Sequence, residues 1–184
     1  MQLPEILQIG NPKLREIAEP VKKNEFAGKA LQKLAETLFA IIEIKGGAGI
    51  AATQIGINKR MIAFGLEKHP LYQLQEPIAK TILINPSITP LSDKQQEDYE
   101  VCMSTGDIRG KVPRYTHIKY SGLDLNGNPI EREAKDFHAR LVQHEVDHLD
   151  GIIFLDRVTD NKSIAFRTEL IEAGILKVKK EYTH

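Results

Sequence analysis

The densest chemistry in this sequence is carried by His144-Glu145-Val146-Asp147-His148. On a helix, side chains four positions apart share a face, about 6 Å apart along the axis. Two imidazoles at that spacing can bind one metal ion. Glu145 beside them has the type and place of a general base acting on water activated by such an ion. Two surface histidines without a ligand role are the alternative, but the neighbours Leu141, Val142 and Leu149 give the segment an amphipathic pattern that argues against it. A catalytic site of this kind takes three protein ligands and keeps one position open. A glycine-then-histidine extension of the motif fails here, because Gly151 fits but residue 154 is Phe. A downstream glutamate is available in Glu169 or Glu172, and the chain's one thiol, Cys102, is the remaining candidate. The surroundings of Cys102, YEVCMSTGDIRG, read as a strand edge running into a turn, where a side chain can project into a cleft.

These residues need elements to hold them. Residues 27–45 place Leu31, Leu34, Leu38 and Ile41/Ile42 at three- and four-residue intervals, which predicts an amphipathic helix ended by Gly46-Gly47. A stretch of small residues follows at 46–56. Strands are expected at 61–66 and at 81–88, the second stopped by Pro86, with a polar loop over 89–98. Residues 117–134 read as a β-hairpin around Asn126-Gly127. Residues 136–149 read as the motif-bearing helix with Asp136 as N-cap. A terminal helix is expected over 160–174, starting at Asp160 or Asn161, and residues 1–26 read as an extended arm turning at Gly10-Asn11-Pro12. Strands cluster in the middle rather than alternating with helices, which points to an α+β fold in a single domain, 1–184.

Bulk properties narrow the function. The chain has 184 residues, 41% of them hydrophobic and 27% charged, as expected of a globular protein with a real core. Lys+Arg and Asp+Glu are both 25, so there is no overall basic excess to serve as a nucleic-acid footprint. One cysteine permits no intrachain disulfide and fits a reducing compartment. No apolar run suits a secretory leader, and none approaches the roughly 20 residues of a membrane span, so a cytoplasmic location is expected.

Three segments carry a family resemblance. They are Gly47-Ala48-Gly49-Ile50-Ala51-Ala52-Thr53-Gln54, Glu100-Val101-Cys102-Met103-Ser104 and His144-Glu145-Val146-Asp147-His148-Leu149. In that order and at those distances they resemble the three motifs of the peptide deformylase family. The hairpin and Ile84-Asn85-Pro86 also fit, and the likeness runs over roughly residues 8–157. The resemblance implies mixed, mostly antiparallel sheets packed around a central helix that carries HExxH, flanked by an N-terminal and a C-terminal helix. It implies Cys102, His144 and His148 as ligands of one divalent ion, Fe²⁺ by preference, with Zn²⁺, Ni²⁺ or Co²⁺ able to substitute. Glu145 becomes the proton carrier. The Gln54 amide and the Met103 backbone N–H become donors to the developing oxyanion, and Gly47 and Gly49 mark where substrate backbone approaches. The implied reaction releases formate from the formyl-methionine end of nascent peptides, and an apolar pocket is expected for the methionine. Asp147 and Arg114 are candidates for an ion pair, with two solvated charges as the alternative.

Four positions depart from the family pattern. Val101 replaces a usual glycine, where a β-branched side chain would strain a positive φ and narrow the space. Met103 replaces leucine, and Gly106 stands where proline is common. Arg140 occupies the ligand-bearing face one turn before His144, where an apolar residue would line the methionine pocket. It is expected to snorkel, to shrink the pocket or to bind an acidic group. Weakened or altered N-acyl selectivity is therefore an alternative reading. An HExxH metallopeptidase using Glu169 or Glu172 is a second, and a non-catalytic binding module a third. The basic stretch Lys177-Val178-Lys179-Lys180 suggests a weak ribosome contact.

Overall fold

The computed structural model describes residues 3–68 and 76–176. After an extended arm, helix α1 (Lys29–Lys45) leads through a tight corner to strand β1 (Gly49–Ala51) and a 3-10 turn, Ala52–Ile55. Then come β2 (Met61–Leu66), β3 (Ile78–Pro90), β4 (Gln95–Glu100), β5 (Ile108–Tyr115), β6 (His117–Leu123) and β7 (Pro129–Lys135). Helix α2 (Asp136–Leu149), the two-residue β8 (Ala165–Phe166) and the short α3 (Arg167–Glu172) complete the order. All strand pairings are antiparallel, in a five-stranded sheet ordered β1-β2-β3-β6-β7 and a second ribbon ordered β4-β5-β8. The expected α+β architecture is the observed one.

The five-stranded sheet is covered on both faces, and its strands alternate accordingly. Met61, Ala63, Ile82 and Ile84 point to α1, meeting Leu31, Leu34, Leu38 and Ile41. Ile62, Phe64 and Leu83 point the other way, onto Val142, Val146 and Leu149 of α2. The two-residue period of a strand thus serves two cores from one sheet. Every residue of α2 from Leu141 to Leu149 is buried, including its polar ones. A helix buried all round by apolar residues would need no explanation, but this one buries four ionisable groups, which must be paired or used.

Several local expectations change. Strand β3 does not stop at Pro86. It runs on to Pro90 through a register shift between Ile84 and Ser87, an irregularity that tolerates a proline without breaking the sheet. Asn85 sits there at φ 50°, its side-chain amide paired both ways with the Val21 backbone at 2.9 and 3.0 Å. Residues 89–98 are not one loop, because Gln95–Glu100 pairs with β5 as β4. Gln95, Gln96 and Glu97 are polar and exposed in succession, which hides a period-two strand. Helix α2 starts at Asp136, with Lys135 as N-cap and no side-chain cap. Strand β7 turns directly into the helix there, and Asp136 makes the corner at φ 49° with its N–H donated to Thr116 O at 2.8 Å. The terminal segment is broken into a 3-10 turn at Asn161–Ser163, strand β8 and the six-residue α3. Pairing of Ala165 and Phe166 with β5 overrides local helical preference. The basic stretch 177–180 lies outside the described residues. Among the described residues no helix is long and apolar enough to cross a membrane.

Candidate metal centre and cleft

Helix α2 delivers two imidazoles to one spot, with ring centroids of His144 and His148 5.0 Å apart. Cys102 arrives from the other side. It follows β4 and acts as N-cap of the 3-10 turn Met103–Thr105, its Sγ accepting from Ser104 N at 3.4 Å. Sγ lies 3.2 Å from His148 Nε2. One ligand atom from each of Cys102, His144 and His148 falls within 4.8 Å of the others, and all three side chains are withdrawn from solvent. Glu169 and Glu172, the alternative third ligands, lie exposed on α3 and do not join this group. A thiol and two imidazoles suit a borderline ion such as Fe²⁺ or Zn²⁺, so the residues fit the metal that the motif calls for.

The surroundings orient these groups. His144 Nδ1 meets Glu100 Oε2 at 2.8 Å, leaving the other ring nitrogen for a ligand role. Phe154 stacks on the His144 ring at 6.2 Å between centroids. Burial disfavours the His144 imidazolium, but acceptors at Cys102 and Glu100 outweigh burial and raise its pKa well above the usual histidine value. Burial, reinforced by the cations at His144 and Arg114, holds His148 well below it. Glu100 is itself buried, which alone would raise its pKa, yet hydrogen bonds from His144 and Arg114 pull it below the carboxylate range.

Glu145 stands apart from this ionic lattice. Its Oε2 is buried with no hydrogen-bond partner among the described residues, and burial pushes its pKa up to about 7. Strand β1 makes room for it. A Cβ on Gly49 would lie 2.6 Å from Glu145 Oε1 and 2.8 Å from Cδ. At Gly47, by contrast, the Met103 methyl would be 2.0 Å from a Cβ. Both glycines border the cleft, but the closest approach at each comes from the protein's own side chains.

Gln54 sits in the 3-10 turn after β1. Its Oε1 accepts from Ala51 N at 2.8 Å, which fixes the amide and turns Nε2 toward Cys102 Sγ (3.3 Å) and Ser104 Oγ (3.1 Å). Met103 is the first residue of its turn, a position whose N–H has no partner within the turn. The arm stitches these two turns together, with Leu7 N on Gln54 O (2.8 Å), Ile9 N on Ser104 O (2.7 Å) and Gln8 Nε2 on Met103 O (3.1 Å). Leu3 to Ile6 continue along the rim of a cleft of about 1100 Å³ that reaches Cys102, His144 and Glu145. Ile44, Leu66, Phe137 and Leu141 give that cleft an apolar side.

The departures resolve differently. Val101 is 48% exposed at the cleft mouth and is not among the residues with positive φ, so the expected strain is absent. Gly106 adopts φ 61°, ψ −131°, a conformation open to glycine and closed to proline. Arg140 does bind an acidic group, Glu100 of its own chain, at 2.8 Å. Asp147 and Arg114 pair at 2.5 Å, and Arg157 adds a second cation to Asp147 at 2.7 Å. Glu100 is the functional residue that motif spacing did not single out. Its signal was its place at the end of β4, two residues before an extended Cys102, which puts the two side chains on one side of the chain.

A cleft floored by a thiol and two imidazoles from an HExxH helix, with a buried carboxylate beside them, defines a metal-dependent hydrolase. The family model of polypeptide deformylase matches residues 3–163. Peptide deformylase 2 of Ralstonia nicotianae is 42% identical over 166 residues, covering 90% of this chain and 92% of that one. Peptide deformylase 2 of Pseudomonas syringae pv. tomato is 44% identical over 161 residues, 88% and 90% of the two chains. Among solved structures, the Met-Ala-Ser-bound class I type b peptide deformylase of Acinetobacter baumannii superposes with TM-score 0.80 at 36% identity, over 85% of this chain and 99% of that one. Peptide deformylase of Thermotoga maritima gives 0.77 at 28% identity, over 87% and 100%. The chain belongs to the polypeptide deformylase family, and its reaction class is hydrolysis of the N-formyl amide at peptide N-termini.

Proposed function

We propose that Cys102, His144 and His148 hold one divalent ion, Fe²⁺ in the native protein, and that Glu145 carries the protons in removing the formyl group from N-terminal methionine. The observation that carries this reading is the convergence of one sulfur and two imidazole nitrogens within 4.8 Å, beside a buried carboxylate oxygen that has no hydrogen-bond partner among the described residues. When bound, the ion lowers the pKa of a water molecule and polarises the formyl carbonyl.

The chain's own residues do the rest. Glu145 accepts the proton of the attacking water and later delivers it to the departing amine nitrogen, so one carboxyl group serves both halves of the reaction. The C–N bond of the formamide breaks, a C–O bond to the former water oxygen forms, and the products are formate and a free methionine amine. As the formyl carbon becomes tetrahedral its oxygen gains charge. The Met103 N–H and Gln54 Nε2 donate to that oxygen, Gln54 exchanging its contact with Ser104 Oγ for it. A neutral amide suits this task because it adds polarity without titrating. The apolar side of the cleft receives the methionine side chain, and the peptide leaves along the rim. The reducing cytoplasm is the setting that a ferrous–thiolate site requires.

Formate release from a formyl-Met tripeptide by anaerobically prepared protein, with metal analysis of the same sample, tests the proposal. Activity should track one metal per chain, decay in air and survive exchange to Ni²⁺. Cys102→Ser should lose the metal, whereas Glu169→Gln and Glu172→Gln should keep it. Metal retained by Cys102→Ser and lost by either glutamate variant would instead establish the metallopeptidase arrangement.

A further inference from the structure

Three ligand atoms on two separate elements raise a structural question. Helix α2 carries both histidines, and the segment after β4 carries the cysteine. Something must hold the helix and that segment at one spacing, and the few ångströms between sulfur and imidazole leave little tolerance. The hydrophobic cluster around Cys102 is small, made of Val112 and Phe154 with Ile108, Leu155 and Val158 against it. Apolar packing is also non-directional, so it does not by itself fix a spacing.

We infer that Arg140 is a positioning residue that ties the histidine helix to the cysteine segment and so sets the mutual placement of the three ligands. This rests on the ligand reading given above. Arg140 lies one helical turn before His144, on the same face. Its guanidinium is committed to fixed acceptors. Nη1 donates to Glu100 Oε1 at 2.8 Å and to Val112 O at 2.8 Å, and Nη2 donates to Gln96 O at 2.6 Å. Two of these acceptors are backbone carbonyls on β4 and β5, and the third is the carboxylate two residues before Cys102. Both hydrogens of Nη1 are spent. The side chain is 12% exposed, at the edge of the cleft.

Glu100 transmits the placement. Its Oε2 receives His144 Nδ1 at 2.8 Å, and Arg114 forks onto both of its oxygens at 2.9 and 3.0 Å. Arg114 closes the loop back to the helix through Asp147. The lattice joins α2 to the β4–β5 ribbon through Arg140, His144 and Asp147, and Gln143 adds a fourth tie, its side-chain amide paired both ways with the Tyr115 backbone at 3.1 and 2.9 Å; of the four, Arg140 alone reaches both strands and the carboxylate beside Cys102. A planar fork fixes angles as well as distance, which a lysine ammonium at position 140 would not do. The family expectation of an apolar residue lining the methionine pocket gives way here to a bolt behind it. Two cations on Glu100 also leave that carboxylate a weaker acceptor for the His144 Nδ1–H than one cation would.

The test uses full-length protein reconstituted with Co²⁺, comparing wild type, Arg140→Met, Arg140→Lys and Cys102→Ser. Three readouts are taken: the thiolate-to-cobalt and d–d absorption bands, the rate of metal release to a chelator, and kcat and KM on formyl-Met and formyl-norleucine tripeptides. Arg140→Met should release metal 10- to 100-fold faster, the range typical of lost outer-shell partners. Its cobalt bands should shift, and kcat should fall while KM for both substrates stays within about twofold. Arg140→Lys should fall between it and wild type, and it decides the question if Arg140→Met does not fold. Unchanged bands and release with a KM change of tenfold would make Arg140 a substrate contact and overturn the inference. Unchanged bands and release with only a lower melting temperature would make it a fold-stabilising residue and also overturn it. Metal held by Cys102→Ser as firmly as by wild type would refute the ligand reading itself, a result separable from any behaviour of the Arg140 variants.

Discussion

Gly49→Ala should remove most of the activity while leaving a folded protein. The new Cβ would stand 2.6 Å from Glu145 Oε1 and 2.8 Å from both Cδ and Cγ. Ordinary contact begins at about 3.4 Å, so the buried carboxylate must leave its present place by roughly 0.6–0.8 Å, on the side of the cleft that it borders. A displacement near 1 Å in a positioned catalytic group costs about 10²-fold, or about 2.7 kcal/mol of barrier. Stability should move less. Gly49 is not among the glycines with positive φ, so alanine gains about 0.4–1 kcal/mol through the unfolded chain, against about 1–3 kcal/mol for the crowding. The assay is kcat/KM for formate release at matched metal content, with denaturant unfolding alongside. The decisive comparison is Gly49→Ala/Glu145→Gln against Glu145→Gln alone. If the glycine acts through the carboxylate, the double variant should be no worse than the single one. Full activity in metal-loaded Gly49→Ala, or additive losses in the pair, would refute the reasoning.

Other outcomes follow from the same geometry. Gly106→Pro forces φ near −65° onto a residue at +61° and should cost about 1–3 kcal/mol in urea unfolding; an unchanged midpoint would contradict the backbone described. Arg114→Met leaves Glu100 and Asp147 buried with one cation fewer each and should cost about 3–5 kcal/mol, read from the same unfolding curves. Burial, aided by Arg132, lowers the His138 pKa from 6.5 to about 4, so the folded state favours the neutral ring. Its contribution is complete above pH 6.5 and is lost as the pH falls toward 4, about 1–2 kcal/mol after solvent screening of a partly exposed group. His138→Gln should flatten the stability profile in that window, and profiles parallel to wild type would count against it.

What the sequence made legible was what local rules govern. The helix over Lys29–Lys45 followed from Leu31, Leu34, Leu38 and Ile41, and the hairpin followed from Asn126-Gly127, though its turn spans 124–128 rather than two residues. The convergence of Cys102 on His144 and His148 was legible only because motif order supplied the long-range pairing. Strand β4 escapes local rules because Gln95, Gln96 and Glu97 are polar and exposed in a row and show no alternation, and β8 because a two-residue pairing with β5 has no periodicity to detect. The role of Arg140 was open for another reason. A cation on an apolar helix face needs an anion, and no spacing rule says that the anion is Glu100, 40 positions away.

The stitching of the arm across the Gln54 and Met103 turns has a practical side. Trimming the chain back toward Gly10 would remove the hydrogen bonds of Leu7, Gln8 and Ile9 and unlace the Gln54 and Met103 turns together, along with the part of the cleft rim formed by Leu3 to Ile6. Kinetic work on this protein is therefore best done with residues 3–10 kept intact.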